Sequence, residues 1–247
     1  MDEIKVSIIT VCYNSQKTIR NTIESVLNQT YKNIEYIIID GASTDNTLDI
    51  INEYLLLFGG RLTVISEPDK GIYDAMNKGI KYSTGELIGI INSDDFYEVD
   101  AVEKIVHEYK GERYIILYGM VRTIENDKEK SVLLYSHNFL FERMIGHPGC
   151  FVSKNIYHEI ADYNINHFSA ADYEFMIKVY KSGLVTFAPV YSIISNYREG
   201  GISTTPAGLL DALKVKREYG IVSRKAYIKL FVKLKVLYFK SLFLNKH

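Results

Sequence analysis

Ile88-Gly89-Ile90-Ile91-Asn92-Ser93-Asp94-Asp95 carries an apolar run of strand length straight into two adjacent carboxylates, with a polar Asn92-Ser93 step between them. A short apolar run of this kind reads as a buried strand. Carboxylates at the carboxyl end of such a strand sit where open α/β sheets take their ligands. They add little packing there, and they are costly to desolvate unless paired or bound to a metal. The same residues also make an ordinary polar turn that caps the next helix. The surrounding chain decides between these readings.

Upstream, residues 6–12 form an apolar strand ending at Tyr13-Asn14-Ser15, and Ser15 or Asn14 is placed to cap a helix through Ile19, Ile23, Val26 and Leu27. A second strand over 34–39 closes on Asp40-Gly41-Ala42-Ser43-Thr44-Asp45, where Gly41 allows a sharp turn. A helix is expected from about residue 44. A short strand over 62–65, a helix over 71–81, a strand over 87–91 and a helix over 99–109 follow. Apolar strands alternating with helices imply a parallel α/β sheet covered on both faces, with right-handed crossovers. The strand ends at Tyr13-Asn14, Asp40 and Asn92–Asp95 then share one rim.

Beyond Gly111 the pattern breaks into shorter pieces. Strands are expected over 114–118, 121–124 and 131–135, the last two joined through Asn126-Asp127. Short strands over 185–187 and 190–194 and helices over 172–182 and 209–219 complete this half. With no linker or repeat, residues 1–223 read as one domain with halves 1–110 and 111–223, followed by a tail over 224–247.

The whole chain of 247 residues has a net charge of −1 that hides an asymmetry. From Arg224 onward there are seven basic residues and no acidic one, which leaves 22 basic against 30 acidic residues in the body. An acidic body argues against nucleic acid as a partner. In the tail, Lys225, Lys229, Lys233 and Lys240 share one helical face and Tyr227, Leu230, Leu234, Leu237 and Tyr238 the other, with Val232, Val236 and Phe239 intruding. That pattern suits a helix lying on an anionic membrane surface, or one packed in a homodimer. The opening Met-Asp-Glu-Ile-Lys has no apolar signal segment, and Cys12 and Cys150 read as reduced thiols. Together these features suggest a cytoplasmic protein, peripheral at most on the inner face of the plasma membrane.

The remaining chemistry lies in scattered polar residues. No Gly-x-Gly-x-x-Gly follows the first strand and no Walker-type Gly-Lys-Ser/Thr is present, which speaks against classical dinucleotide and P-loop chemistry. Asp94 and Asp95 suit a hard divalent ion, Mg²⁺ or Mn²⁺. Six histidines without Cys or His clustering argue against zinc. Asp172 reads either as a helix N-cap or as a base that accepts a hydroxyl proton. His147, before Pro148, is either a satisfied loop residue or a contact to a sugar or phosphate.

Taken in order, Val6-Ser7-Ile8-Ile9-Thr10-Val11-Cys12-Tyr13-Asn14, Ser25-Val26-Leu27-Asn28-Gln29-Thr30-Tyr31, Asp40-Gly41-Ala42-Ser43-Thr44-Asp45, Gly71-Ile72-Tyr73-Asp74-Ala75-Met76-Asn77-Lys78-Gly79 and Asn92-Ser93-Asp94-Asp95 resemble glycosyltransferase family 2. Its members are inverting nucleotide-sugar enzymes of GT-A fold, and the phrasing of 71–79 is similar to the subgroup that builds bacterial O-antigen and capsule. The resemblance implies a UDP-type donor, with Thr10, Tyr13 and Asp40 at the base. The nucleotide-sugar site would further draw on Asn14, Asn77, Asn92, Ser93 and Asp94. It also implies a divalent metal on Asp94 with Asp95, Asp172 as catalytic base, His147 on the acceptor side, and a glycan or lipid-linked glycan as acceptor. Asn92 and Ala171 stand where the family often has acidic residues, so the ribose or metal contact at 92 is expected to be weaker or neutral, and Asp172 keeps the base without its acidic neighbour. A non-catalytic nucleotide-sugar-binding or scaffold protein on the same fold is the rival expectation.

Overall fold

The computed structural model describes residues 4–244, with side chains through Phe239. Strands β1 (Val6–Cys12), β2 (Ile34–Asp40), β3 (Leu62–Ser66) and β4 (Leu87–Ile90) pair in parallel in the order β3-β2-β1-β4. Alternation along each strand feeds two cores. Val6 and Ile8 of β1 and Tyr36 and Ile38 of β2 face one, while Ile9, Val11, Ile37 and Ile39 face the other. Helices α1 (Ile19–Leu27), α2 (Thr47–Glu53) and α4 (Ala101–Glu108) place Ile23, Ile51 and Ile105 in the first core, and α3 (Ile72–Tyr82) places Met76 and Ile80 in the second. Burial on both faces of β1, β2 and β4 is why these three read as largely apolar runs, while the edge strand β3 buries only Leu62 fully. At Gly79 a Cβ would stand 2.5 Å from Ile9 Cγ2, so glycine lets α3 settle directly on β1.

The second half continues the same sheet. β8 (Cys150–Ser153) runs antiparallel between β4 and β6 (Ile115–Glu125), and β6 pairs in parallel with β9 (Thr186–Arg198). β7 (Lys128–Leu133) forms the expected hairpin with β6. Its two turn residues, Asn126 and Asp127, have φ 51° and 58°, as a type I′ turn requires. β5 (Phe96–Tyr97) pairs with β9 at the edge. The two short strands expected on each side of Gly119 and of Pro189 are instead single long strands. Their register shifts at Gly119, Met120 and Val121 carry the ladder through the interruption.

Other boundaries also differ from expectation. Neither Asn14 nor Ser15 caps α1, which begins only at Ile19. Both are recruited across the rim, Ser15 to Thr47 and Ser93 and Asn14 to Ser43 and Thr44. α2 starts at Thr47 rather than near 44, because Asp45 Oδ1 takes the Thr47 amide at 3.0 Å. The turn after Asp40 uses Ala42 at φ 61°, while Gly41 supplies room: a Cβ there would lie 2.5 Å from Asp69 Oδ2. The short helix α5 (Lys154–Glu159) and strand β5 had no expectation behind them.

α6 (Ala171–Ser182) ends at Gly183 in the left-handed region, φ 67°. α7 (Pro206–Glu218) starts with Pro206 after Thr205, whose side chain accepts the Gly208 amide at 3.1 Å. α8 (Arg224–Leu244) contacts α7. No residue from 224 to 239 is buried, and Ile228, Val232, Val236 and Phe239 are each at least half exposed. The Lys240 side chain and Lys246 lie outside the described residues. Among the described residues, no helix is long and apolar enough to cross a membrane.

Candidate active site

An open cavity of about 1180 Å³ lies at the carboxyl ends of β1 and β4, roofed by the 144–148 loop, the start of α6 and parts of β9 and α7. Its strand-side rim is held by cross-links between loops. Asn14 sits at φ 50°, a conformation asparagine tolerates. Its amide donates to Ser43 Oγ at 2.8 Å and its Oδ1 accepts the Thr44 amide at 2.8 Å. That turn throws the Tyr13 ring outward, 62% exposed along the cavity wall.

Beneath the rim, Asp40 is fully buried and fully used. Oδ2 accepts the Ser43 amide at 3.0 Å and the Ser66 hydroxyl at 2.7 Å, and Oδ1 accepts the Ser43 hydroxyl and, at 3.6 Å, the Cys12 thiol. Burial, then the Asp40 charge, pushes the Cys12 thiol far above its usual range, so it is inert. Thr10 is also buried, accepting the Tyr36 hydroxyl at 2.9 Å. Neither Thr10 nor Asp40 lines the cavity.

The carboxylates of the opening stretch part company. Asp94 lines the cavity, and burial raises its carboxyl above the usual range against the lowering pull of its own backbone and of Arg198. Asp95 turns inward, fully buried, with Oδ1 on the Arg198 amide at 2.9 Å and Oδ2 without a partner. Burial, then the neighbouring Asp94 charge, raises Asp95 well above its usual range. Asp95, expected to share a metal with Asp94, does not line the cavity, and one of its two oxygens holds β9 to this loop. Arg198 completes the clamp: it donates to the Asp94 carbonyl and to Asn21 Oδ1 at 2.9 Å, and its guanidinium lies 4.9 Å from the Phe96 ring centroid.

A metal on Asp94 has a donor set to join. Asn92 Oδ1 is a buried oxygen without a partner, and Asn92 and Ser93 line the cavity beside Asp94. One carboxylate and neutral oxygens, with positions left for phosphate, fit Mg²⁺ or Mn²⁺.

On the opposite wall Asp172 stands in the first turn of α6, and Ala170 rather than Asp172 occupies the N-cap position. Its Oδ1 accepts the Tyr73 hydroxyl at 2.8 Å and the Tyr173 amide at 2.9 Å. Burial, then the Asp172 charge, raises the Tyr73 phenol far above its usual range, so it remains a donor. His147 lines the cavity nearby, with Nε2 2.8 Å from the Tyr163 hydroxyl. Burial lowers its pKa, only partly countered by Asp172, which favours the neutral imidazole. Asn77 lies off the cavity. Its amide donates to the Tyr163 carbonyl at 2.8 Å and its Oδ1 accepts the Tyr163 amide at 3.2 Å, so it fixes the chain that carries Tyr163.

The structure thus gathers Tyr13, Asn14, Asn92, Ser93, Asp94, His147 and Asp172 around one space, and leaves Thr10, Asp40, Asn77 and Asp95 behind it. Sequence reasoning missed Asp69, Tyr73 in its role on Asp172, Arg198 and Lys216. Asp69 follows the third strand two residues before Gly71, a carboxylate after a strand end as Asp40 is, and that carried the available signal. Arg198 and Lys216 reach the region only through long-range packing and had none.

A parallel sheet whose strand ends floor such a cavity, closed by a mixed second half, is the GT-A arrangement, and solved structures share it. S. aureus TarS 1-349 in complex with UDP-GlcNAc matches with a TM-score of 0.71 at 17% identity, over 96% of this chain and 73% of that one. A mannosyltransferase from Pyrobaculum calidifontis in complex with GDP-Man and Mn²⁺ matches at 0.66 and 16%, over 94% and 69%. The Glycosyl transferase family 2 model matches residues 7–175, and the chain belongs to that family. Relatives include a PGL/p-HBAD biosynthesis glycosyltransferase of Mycobacterium tuberculosis, 30% identical over 81% of this chain and 79% of that one. A chondroitin synthase of Escherichia coli is 33% identical over 72% of this chain and 27% of that one.

Proposed function

We propose that this glycosyltransferase is an inverting, metal-dependent enzyme that moves a hexose from a UDP-sugar to a hydroxyl of a lipid-linked glycan. The observation that carries the reading is the pairing of Asp94 and Asp172 across one cavity, the first beside an orphaned Asn92 oxygen and the second oriented by Tyr73. The relatives' roles in glycolipid and polysaccharide synthesis support the acceptor class. The UDP-GlcNAc complex of TarS supports the donor class, and the Mn²⁺ of the archaeal mannosyltransferase supports the metal.

In this mechanism Tyr13 presents an aromatic face to the base, while Asp94, Asn92 and Ser93 hold the diphosphate end together with Mg²⁺ or Mn²⁺. When bound, the ion supplies positive charge that offsets charge developing on the departing diphosphate. Both bonds to Asp172 fall on Oδ1, leaving Oδ2 for the acceptor hydroxyl. Asp172 takes the hydroxyl proton, and the oxygen attacks the anomeric carbon as the bond to UDP breaks on the opposite face. The configuration inverts, so an α-linked donor gives a β-linked product. His147, as a neutral group beside Tyr163, contributes a polar contact on the acceptor side.

Calorimetry of UDP with and without Mn²⁺ tests this directly. Metal-dependent binding is expected, weakened at least tenfold by Asp94→Ala, the scale of a lost charged contact. Metal-independent binding, or none, overturns the reading in favour of a scaffold. The tail is assigned to the membrane surface on the same footing: exposed apolar side chains of α8 enter the headgroup boundary, and its lysines meet anionic lipid at roughly 1 kcal/mol each. Removing residues 224–247 should abolish sedimentation with anionic liposomes and leave UDP binding intact. A deletion that instead turns a dimer into a monomer makes the tail an oligomerisation element.

A further inference from the structure

Away from the cavity, α6 and α7 enclose a second polar cluster that the reaction does not use. His167, Glu174 and Asp211 are 5, 4 and 1% exposed. His167 Nδ1 lies 3.1 Å from Asp211 Oδ1, and Asp211 Oδ2 accepts the Ser169 amide at 3.1 Å. The other ring nitrogen, Nε2, faces Glu218 Oε2 at 3.7 Å and Glu174 Oε2 at 3.9 Å. Both gaps are too long for hydrogen bonds. Glu174 Oε1 is occupied by the Tyr219 hydroxyl at 2.9 Å and Lys178 at 3.4 Å, but Glu174 Oε2 is buried without any hydrogen-bond partner. A buried carboxylate oxygen with no donor is costly to maintain.

We infer that His167 Nε2, Glu174 Oε2 and Glu218 Oε2 form a site for a divalent transition-metal ion of the zinc class, separate from the donor site at Asp94. The three ligand atoms lie within 4.8 Å of one another. One imidazole nitrogen with two carboxylate oxygens is a set zinc accepts, with a fourth position for water. Ligands at about 2.0–2.2 Å from a tetrahedral ion stand roughly 3.4 Å apart. The observed gaps therefore close with small movements, and the Glu218 side chain, 55% exposed, is free to make them. Asp211 on Nδ1 is the carboxylate that orients a ligating imidazole. Lys178 and Lys214 hold other oxygens, Glu174 Oε1 and, at 3.7 Å, Asp211 Oδ1, and leave Glu174 Oε2 open.

The ion braces two walls of the cavity. His167 and Glu174 flank Ser169, Ala170 and Asp172, while Glu218 belongs to α7, whose Ala212 and Lys216 also line the space. The competing arrangement is the same cluster held by its protein partners alone, with no metal present.

The test uses the full chain, stripped with a chelator and free of nucleotide. Zn²⁺ titration by calorimetry, with bound metal counted by mass spectrometry, should give one tight site in the unsubstituted protein and in Asp94→Ala. Glu218→Gln, an exposed change that leaves the fold intact, should weaken it at least tenfold, and Zn²⁺ should raise the melting temperature of the first two proteins only. His167→Gln should behave like Glu218→Gln. The inference is overturned if no stoichiometric Zn²⁺ binds without nucleotide, if Asp94→Ala removes the binding, or if Glu218→Gln and His167→Gln leave it unchanged. Loss of UDP binding alone bears on the function proposed above and not on this site.

Discussion

The strand rim around residues 12–45 and the helix wall around residues 163–174 each bring a carboxylate to the same region, and they treat it in opposite ways. Asp40 accepts from two hydroxyls, an amide and a thiol, and has no exposure. Asp172 receives both its hydrogen bonds on one oxygen and borders the cavity. A saturated carboxylate organises its donors: here it holds the turn at Ser43 and the end of β3 at Ser66 in one arrangement, so that the Tyr13 and Asn14 backbone is fixed. A half-saturated carboxylate is oriented but retains capacity. The difference separates groups that shape the site from groups available to react in it.

The largest expected effect falls on the helix wall. Asp172→Asn keeps the shape and should lower turnover by about 10²–10⁴-fold, or roughly 3–5 kcal/mol in barrier. Its melting temperature and UDP affinity should stay near those of the unsubstituted enzyme. Steady-state kinetics with an accepted donor and acceptor, read beside a thermal melt, measure both. Normal turnover would remove Asp172 from the role of base and break the contrast with Asp40.

On the rim the expectation reverses. Asp40→Ala strands the Ser43 and Ser66 donors in a buried place, and the loss should be about 2–4 kcal/mol of folding stability. Urea denaturation gives the value directly. A stability near that of the unsubstituted chain together with sharply weaker UDP binding would mean that Asp40 meets the ligand rather than the frame.

Much of this frame was legible in the sequence because its causes are local. Parallel strands buried on both faces carry their apolar residues in unbroken runs, and the polar residues that stop them mark the rim. The second half was read in fragments. β6 and β9 cross Gly119 and Pro189 without ending, and only their mutual ladder, between residues some 70 positions apart, keeps each continuous. Asp94 and Asp95 show the same limit at the site. Adjacent in sequence and alike in type, they are told apart only by the Arg198 amide, which arrives from β9 and claims one of them. The cluster of His167, Glu174 and Glu218 is spread over the loop before α6, α6 itself and the end of α7, so no spacing rule finds it.

The smallest expected effect asks whether saturation alone, far from any cavity, has the stabilising value assigned to it at Asp40. Glu35 answers this, since it sits near the amino end of β2, opposite the rim. It accepts from Ser7, from the Thr84 hydroxyl at 2.8 Å and from the Gly85 amide at 3.0 Å, and pairs with Lys5 at 2.7 Å. Burial pushes its carboxyl upward, but hydrogen bonds from Lys5, Ser7 and Thr84 outweigh that and bring the pKa down to about 2 from an ordinary 4.5. A carboxyl with a lowered folded pKa contributes stability that is fully present above its unfolded pKa, and that is lost as pH falls from about 4.5 through about 2. The full shift corresponds to roughly 3 kcal/mol. Partial exposure and solvent screening reduce the expected contribution to about 1–2 kcal/mol. Glu35→Gln should therefore cost about 1–2 kcal/mol in urea denaturation at pH 7, and the gap to the unsubstituted chain should narrow steadily as the pH is lowered from 4.5 toward 2. A gap that stays constant across that window would show that the donors around Glu35 do not depend on its charge, and the argument from saturation would then have to be made for Asp40 on its burial alone.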